Sequence, residues 1–333
     1  MSRIIRAALA SNLAFACAFV LLLAPSLIAQ SPADTPHSEE PVTTLKSGVE
    51  LVNVYFNVKD KHGMLIPGLG KDEFTVEEDG VPQTIKYFSA ETNLPLTLAI
   101  LIDSSGSQAR VLEIEKEVGG QFLREFLKEK DEATIISFDV TVDLLQDFTN
   151  SPSELSRALN KAKINSGVGG SPGLGGGPID NHNPAGTVLY DAVYVASREK
   201  LSTETGRKAI ILLTDGEDQG SKLNIKNAVE AAQKADAVCY VLLIADRGLN
   251  FGFGAGAMRQ LTDDTGGRVI EVGNRPDKLK EAFKQISDEL RSLYNVGYTP
   301  ITHKQDGSFL RLNVKSKQGY KVQSRKGYYA ASE

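Results

Sequence analysis

The chain has 333 residues, of which 41% are hydrophobic and 24% charged, so it is long enough for one large globular domain or two modest ones. Its formal net charge of −5 argues against a protein that binds nucleic acid by neutralising phosphates. Two cysteines exclude a disulfide-stapled scaffold and a Cys-ligated zinc site, and only four histidines argue against a His-rich metal site.

The first 46 residues read as targeting and linker sequence. Arg3 and Arg6 precede a nearly unbroken apolar run over 7–27, and small residues follow it. This pattern predicts a secretory signal peptide over 1–30, with cleavage favoured over the alternative of an uncleaved membrane anchor. Residues 31–46 are rich in Pro, Ser, Thr and Glu and predict a flexible linker. We therefore expect a protein exported to the periplasm, the cell envelope or the medium, which meets a membrane only through this segment if it is uncleaved.

Residues 47–92 form an N-terminal β segment in this interpretation. Apolar residues alternate with polar ones, which is the period of a half-buried strand. An Asp79-Gly80 pair between two such runs is typical of a hairpin. The alternating positions are Val52, Val54, Phe56, Val58, Phe74, Val76, Ile85 and Tyr87.

Residues 93–293 alternate between strand and helix patterns. Leu96 to Ile102 is a continuous apolar run, as expected of a strand covered on both faces. The run from Val140 to Leu145 follows the preceding predicted strand too closely for a crossover helix to fit between them. We therefore expect these two strands to pair antiparallel. The repeated pattern predicts an α/β fold class: a doubly wound, Rossmann-like domain with a mostly parallel central sheet. The long Gly- and Pro-rich stretch 167–186 has no periodicity and predicts a functional or disordered loop.

Residues 294–333 return to the strand period, with alternating apolar residues from Tyr294 to Val322. Neither β segment has enough strands to be stable alone. We therefore expect this C-terminal segment to pack with residues 47–92 into one small β-sandwich-like domain built from both ends of the chain.

Five oxygen-bearing side chains follow predicted strands or open a predicted helix. Asp103, Ser105 and Ser107 come directly after the first buried strand, Asp215 follows another, and Thr187 opens a helix after the Gly-rich loop. Ligands of open α/β sheets bind at the carboxyl ends of strands, where the strand order reverses. Two carboxylates and three hydroxyls are ligands that hard divalent cations prefer. Each residue taken singly is equally explained as a helix cap or a turn, but together they favour a cation site.

These residues resemble the metal-ion-dependent adhesion site of von Willebrand factor type A (VWA) domains. The resemblance covers residues 94–293. The segments on either side of this range are similar to exported bacterial VWFA-related proteins described from acidobacteria. It implies Mg²⁺ (or Mn²⁺ or Ca²⁺) held by Asp103, Ser105, Ser107, Thr187 and Asp215, and a protein partner whose Asp or Glu completes the metal shell. The insert 167–186 departs from the family pattern. The motifs that carry the likeness are Asp103-x-Ser105-x-Ser107, Gly186-Thr187-Val188-Leu189-Tyr190-Asp191-Ala192 and Thr214-Asp215-Gly216, with Leu51-Val52-Asn53-Val54, Phe74-Thr75-Val76-Glu77-Glu78-Asp79-Gly80 and Lys326-Gly327-Tyr328-Tyr329 in the flanks.

Two rival functions stay open. A serine-type hydrolase would use Ser105 or Ser107 as its nucleophile, with His182 the best-placed histidine, but the sequence has no Gly-x-Ser-x-Gly elbow. A passive envelope protein would use the α/β domain only for assembly. The glycines around Gly254 lack a Walker Lys-Ser/Thr pair, so they are weak evidence for nucleotide binding. We expect a non-enzymatic binding module.

Overall fold

Both ends of the described chain consist of strands, with one short 3₁₀ helix at Lys71–Glu73, and strands alternate with helices between them. The computed structural model describes residues 51–90, 94–164, 186–244 and 254–330. The predicted signal peptide and linker lie outside these ranges, as does the loop 167–186 apart from Gly186. Within the described ranges, no helix is both long and apolar enough to cross a bilayer.

The elements are numbered in chain order. The strands are β1 Val52–Lys59, β2 Phe74–Glu78, β3 Val81–Gln83, β4 Tyr87–Ser89, β5 Leu96–Asp103, β6 Glu132–Phe138, β7 Val142–Thr149, β8 Arg207–Thr214, β9 Ala237–Leu243, β10 Val269–Glu271, β11 Tyr294–Tyr298, β12 Phe309–Ser316, β13 Lys321–Ser324 and β14 Gly327–Tyr329. The α-helices are α1 Leu112–Phe126, α2 Pro152–Leu159, α3 Leu189–Val195, α4 Ile225–Lys234, α5 Ala255–Thr265 and α6 Pro276–Arg291.

The central sheet has six strands in the order β10-β9-β8-β5-β6-β7. All of its pairs are parallel except β6 with β7, which is antiparallel as the short connection predicted. From β5 the chain moves outward through β6 and β7, and then returns to the other side of β5 through β8, β9 and β10. The doubly wound α/β fold class is therefore confirmed.

Helices cover both faces of this sheet, which explains why β5 is apolar along its length. On one face, Ile100 and Ile102 pack with residues of α1, α2 and α6. On the other face, Leu101 packs with residues of α3, α4 and α5. Phe122 of α1 and Phe283 of α6 stack with ring centroids 4.4 Å apart. All eight residues of β5 are buried, so the strand ends are held at fixed positions.

The two ends of the chain form a pair of four-stranded sheets around one core. One sheet has the order β13-β1-β11-β4 and the other β14-β12-β2-β3, so each sheet combines strands from both ends. Buried residues such as Phe56, Phe74 and Tyr294 fill the space between them. The predicted β-sandwich built from both ends is therefore present.

The starts of two helices have specific local features. The Ser151 side chain caps α2 by accepting a hydrogen bond from the backbone N–H of Glu154, and the Glu154 carboxylate accepts a hydrogen bond from the Thr149 hydroxyl at 2.8 Å. Gly254, considered above for nucleotide binding, is the N-cap of α5, and its Cα lies against the backbone of Gly216 with no room for a Cβ. This close packing explains why residue 254 is a glycine.

Candidate metal centre

The predicted site lies at the reversal point of the central sheet. Asp103 is the last residue of β5 and Thr214 is the last residue of β8, and the two strands pair in parallel with Ile102 opposite Leu213. Parallel strands end at the same edge of a sheet, so Asp103, Thr214 and the following Asp215 share this edge. This is the location at which open α/β sheets bind ligands.

Asp103 is fully buried, and its two carboxylate oxygens are held by different donors. Oδ1 accepts a hydrogen bond from the backbone N–H of Ser105 at 3.0 Å, and Oδ2 accepts one from the hydroxyl of Thr214 at 2.6 Å. Burial raises the pKa of the Asp103 carboxyl from 3.8 to about 6, although these hydrogen bonds oppose the rise. A nearby dication would favour the ionised form. Thr214 is therefore a positioning residue, a role that its place in the Thr214-Asp215-Gly216 motif does not reveal.

Ser105 and Ser107 lie together on the loop that follows β5. Their hydroxyl oxygens are 3.0 Å apart. The backbone N–H of Ser104 donates to the carbonyl of Phe138 at 2.8 Å, which fastens the loop to the end of β6. The loop then continues as a short 3₁₀ helix, Gly106–Arg110, that leads into α1. Two hydroxyl oxygens are thereby presented beside the buried Asp103.

Asp215 is half-buried in the loop after β8. Its Oδ1 accepts a hydrogen bond from the backbone N–H of Glu217 at 3.1 Å. Gly216 donates its N–H to the Thr214 hydroxyl at 3.0 Å and has φ +87°, a conformation that L side chains rarely adopt. Thr214 therefore connects the Asp103 carboxylate to the turn that carries Asp215.

Thr187 lies between the loops that follow β6 and β8. Its carbonyl accepts hydrogen bonds from the backbone N–H groups of Gln219 and Gly220, each at 3.1 Å. The next residue, Val188, donates its N–H to the carbonyl of Asp139 at 2.7 Å. Because β5 lies between β6 and β8, these bonds place Thr187 at the same edge of the sheet as Asp103.

The arrangement fits a hard divalent cation by the chemistry of its donors. All five predicted side chains belong to segments at one edge of the sheet, and all five offer oxygen. Among the described residues, no group of three or more His, Cys, Asp or Glu side chains has metal-ligand geometry, so hydroxyls would have to supply part of any coordination shell. The roles of all five side chains as metal ligands stay predictions.

The chain is similar in structure to several solved proteins, but these comparisons do not assign it to a family. No family model matches the chain, and no curated protein matches it. The solved structures that resemble it include BatB, a conserved hypothetical protein from Bacteroides thetaiotaomicron, at 19% identity, covering 59% of this chain and 100% of that chain with a TM-score of 0.45. The von Willebrand factor domain of Mfa5, a type V pilus tip protein from Porphyromonas gingivalis, is 15% identical, with coverages of 59% and 94% and a TM-score of 0.44.

A third similar structure is proximal thread matrix protein 1 from the mussel byssus with a zinc-occupied MIDAS motif. It is 15% identical, with coverage of 63% of this chain and 48% of that chain and a TM-score of 0.46. All three identities lie below 20%, so the evidence for a site in this chain is the geometry of its own strand ends.

Proposed function

We propose that this protein is a non-enzymatic binding module of the VWA type that holds a divalent cation at the reversal point of its central sheet. The observation that carries the proposal is the buried Asp103 carboxylate, fixed between the Ser105 loop and Thr214 at the end of the neighbouring strand. Ser105, Ser107 and Thr187 would supply hydroxyl oxygens and Asp103 and Asp215 would supply charge. Mg²⁺ is the ion we propose, with Mn²⁺ and Ca²⁺ as alternatives.

The partner we propose is a protein that presents an Asp or Glu side chain. A dication held by two aspartates and three neutral hydroxyls stays electrophilic and can accept one further carboxylate. Binding is favoured over serine hydrolysis because the sequence has no Gly-x-Ser-x-Gly elbow. Of the histidines, His62 and His303 lie in exposed loops, and His182 falls outside the described residues. Export through the predicted signal peptide would place this binding outside the cytoplasm.

Calorimetric titration with Mg²⁺ tests the proposal. Wild type should bind the ion, and Asp103→Ala should not, because the variant removes half of the aspartate charge. Asp143→Ala is the matched control, since Asp143 is an exposed aspartate at the start of β7, paired opposite Ser137 at the same edge of the sheet. Equal binding by wild type and Asp103→Ala, or binding by neither, contradicts the proposed site.

Partner binding is tested by affinity capture from cell-envelope extract in Mg²⁺ and in EDTA. Capture should require the cation and should fail with Asp103→Ala. A partner that binds equally well in EDTA would favour passive assembly through another surface. Shortening the 167–186 loop should change which partner binds and leave Mg²⁺ affinity intact.

A further inference from the structure

A cavity of about 290 Å³ lies where the β-sandwich meets the α/β part. This volume is close to the lower limit of roughly 300 Å³ for small-molecule sites. The start of β1, the end of α4 and the segment from Arg325 to Tyr329 form its walls. Gln233 of α4 fastens two of these walls together, because its side-chain amide donates to the carbonyls of Gly327 at 3.0 Å and Asp264 at 2.6 Å. The cavity is therefore built from fixed elements.

The cavity lies at the opposite edge of the central sheet from the proposed cation site. Asp236 lines the cavity and directly precedes β9, whereas Asp103 ends β5 and Asp215 follows β8. These three strands are parallel, so their first residues share one edge of the sheet and their last residues share the other. A ligand in the cavity would occupy a second site, and the inference drawn below does not rest on the proposed function.

Arg325 contributes a buried guanidinium to the cavity. It is 9% exposed, and its Nη2 donates to the carbonyl of Asn53 at 2.6 Å. Its Nε has no hydrogen-bond acceptor among the described residues. A buried donor of a charged group is costly to leave unsatisfied, so this atom favours an acceptor oxygen from a ligand. An adjoining space lined by the same arginine measures about 10 Å³, which holds one water at most, and a guanidinium has five N–H donors to serve both spaces.

Positive charges outnumber negative ones around the cavity. Glu230 and Asp236 line it, and so do Lys234 and Arg325. Lys226 adds a third cation, because its Nζ lies 3.6 Å from the Glu230 carboxylate. Lys234 is exposed and forms no ion pair within the described ranges. Three cations against two acids leave one positive charge, so the complementary ligand is a monoanion.

Aromatic rings supply much of the remaining lining. The Arg325 guanidinium carbon lies 5.5 Å from the centroid of the Tyr328 ring, and the Lys226 Nζ lies 4.7 Å from that of Tyr329. Both rings border the cavity, as does the aliphatic side chain of Leu51. Such a lining favours a ligand with an apolar, preferably planar, body.

We propose that this cavity binds a small organic monocarboxylate. The carboxylate would accept hydrogen bonds from Arg325 and pair with Lys234, and the apolar body would lie against the rings of Tyr328 and Tyr329. A planar guanidinium matches a carboxylate with two parallel hydrogen bonds. Inorganic phosphate fits less well, because it has no apolar body and would bring a second negative charge towards Asp236.

The test is an NMR titration of the full chain with phenylacetate, and with phenylacetamide as the uncharged match. EDTA is present throughout, so that no cation at the strand-end site attracts the carboxylate. We expect phenylacetate to bind at least roughly 10-fold more tightly than phenylacetamide, since a hydrogen bond to a charged partner is lost in the amide. Inorganic phosphate should not displace phenylacetate. Equal binding of acid and amide, no binding of the acid, or displacement by phosphate at equal concentration would overturn the inference.

Three variants locate the site. Arg325→Lys keeps the charge but loses the planar fork, and it should weaken phenylacetate binding by roughly 10-fold or more. Lys234→Gln should weaken it by about 2- to 5-fold, as expected of an exposed ion pair. Lys222→Gln is the matched control, because Lys222 is an exposed lysine beyond the other end of α4, and it should bind like wild type.

Thermal denaturation checks that each variant is folded. If Arg325→Lys does not fold, the comparison of Lys234→Gln with Lys222→Gln decides together with the acid and the amide. Equal affinities in Lys234→Gln and Lys222→Gln would place the bound carboxylate elsewhere and overturn the assignment. Because EDTA is present, any of these failures would leave the proposed cation site intact.

Discussion

Glu115 should make the metal-free protein less stable as pH rises, and Glu115→Gln should remove this effect. The pKa of the Glu115 carboxyl rises from 4.5 to about 8 in the folded state, so the folded protein binds more protons than the unfolded chain between these values. The free energy of unfolding should therefore fall by up to about 1.4 kcal/mol per pH unit in this window. By pH 7 the accumulated loss is roughly 3 kcal/mol.

Urea denaturation in EDTA at pH 5, 6 and 7 measures this difference. Gln cannot ionise, so Glu115→Gln should match wild type within about 1 kcal/mol at pH 5 and exceed its stability by roughly 3 kcal/mol at pH 7. Asp103 titrates in both proteins, and its contribution largely cancels in the comparison. Glu113→Gln should follow wild type at every pH, because the Glu113 side chain is 83% exposed. Parallel pH profiles for wild type and Glu115→Gln would refute the reasoning, because they would mean that Glu115 ionises as easily in the folded protein as in the unfolded chain.

Three further changes test other parts of the molecule. Thr187→Ala should weaken Mg²⁺ binding less than Asp103→Ala, since it removes a neutral donor, and calorimetry of the two variants side by side measures the order. Phe283→Ala should lower the free energy of unfolding by about 3–5 kcal/mol in urea, because it leaves a cavity where the ring stacked on α1. Gly267→Ala should abolish soluble folding, since the added Cβ would lie 1.9 Å from a backbone oxygen of β9. Gly256→Ala is the control, because a Cβ there would meet nothing within 4 Å. This control variant should express as a folded protein, as circular dichroism would show.

The sequence predicts the central sheet well because its strands are buried on both faces. The apolar run at β5 fits either a covered strand or a buried helix, and its short length, from Leu96 to Ile102, favours the strand. Pairing between the two ends of the chain is also predictable, since neither end is stable alone. The partners within the sandwich are not predictable: β4 follows the β2–β3 hairpin closely but joins the other sheet, beside β11. Such pairings depend on long-range packing that local patterns do not record.

The burial of Glu115 is invisible to the same patterns. In α1 the apolar Ile114 is only partly buried, whereas the charged Glu115 is turned fully inward. Hydropathy assigns a charged residue to the solvent side, so the burial of Glu115 is visible only in the packed structure. The role of Thr214 was missed for a similar reason: its hydroxyl matters because β8 lies next to β5, and strand order is not local information.

The adjacency of β4 and β11 has a mechanical consequence for the proposed binding of a partner. The chain enters the α/β part after β4 and leaves it into β11, and these strands pair with Ser89 opposite Asn295. Arg207, at the start of β8, donates hydrogen bonds to the carbonyls of Leu290 and Leu293 and so ties the exit to the central sheet. Any tension applied at the proposed cation site would thus be divided between two covalent connections that lie side by side. We expect the α/β part to resist swivelling under load more than a domain on a single tether would.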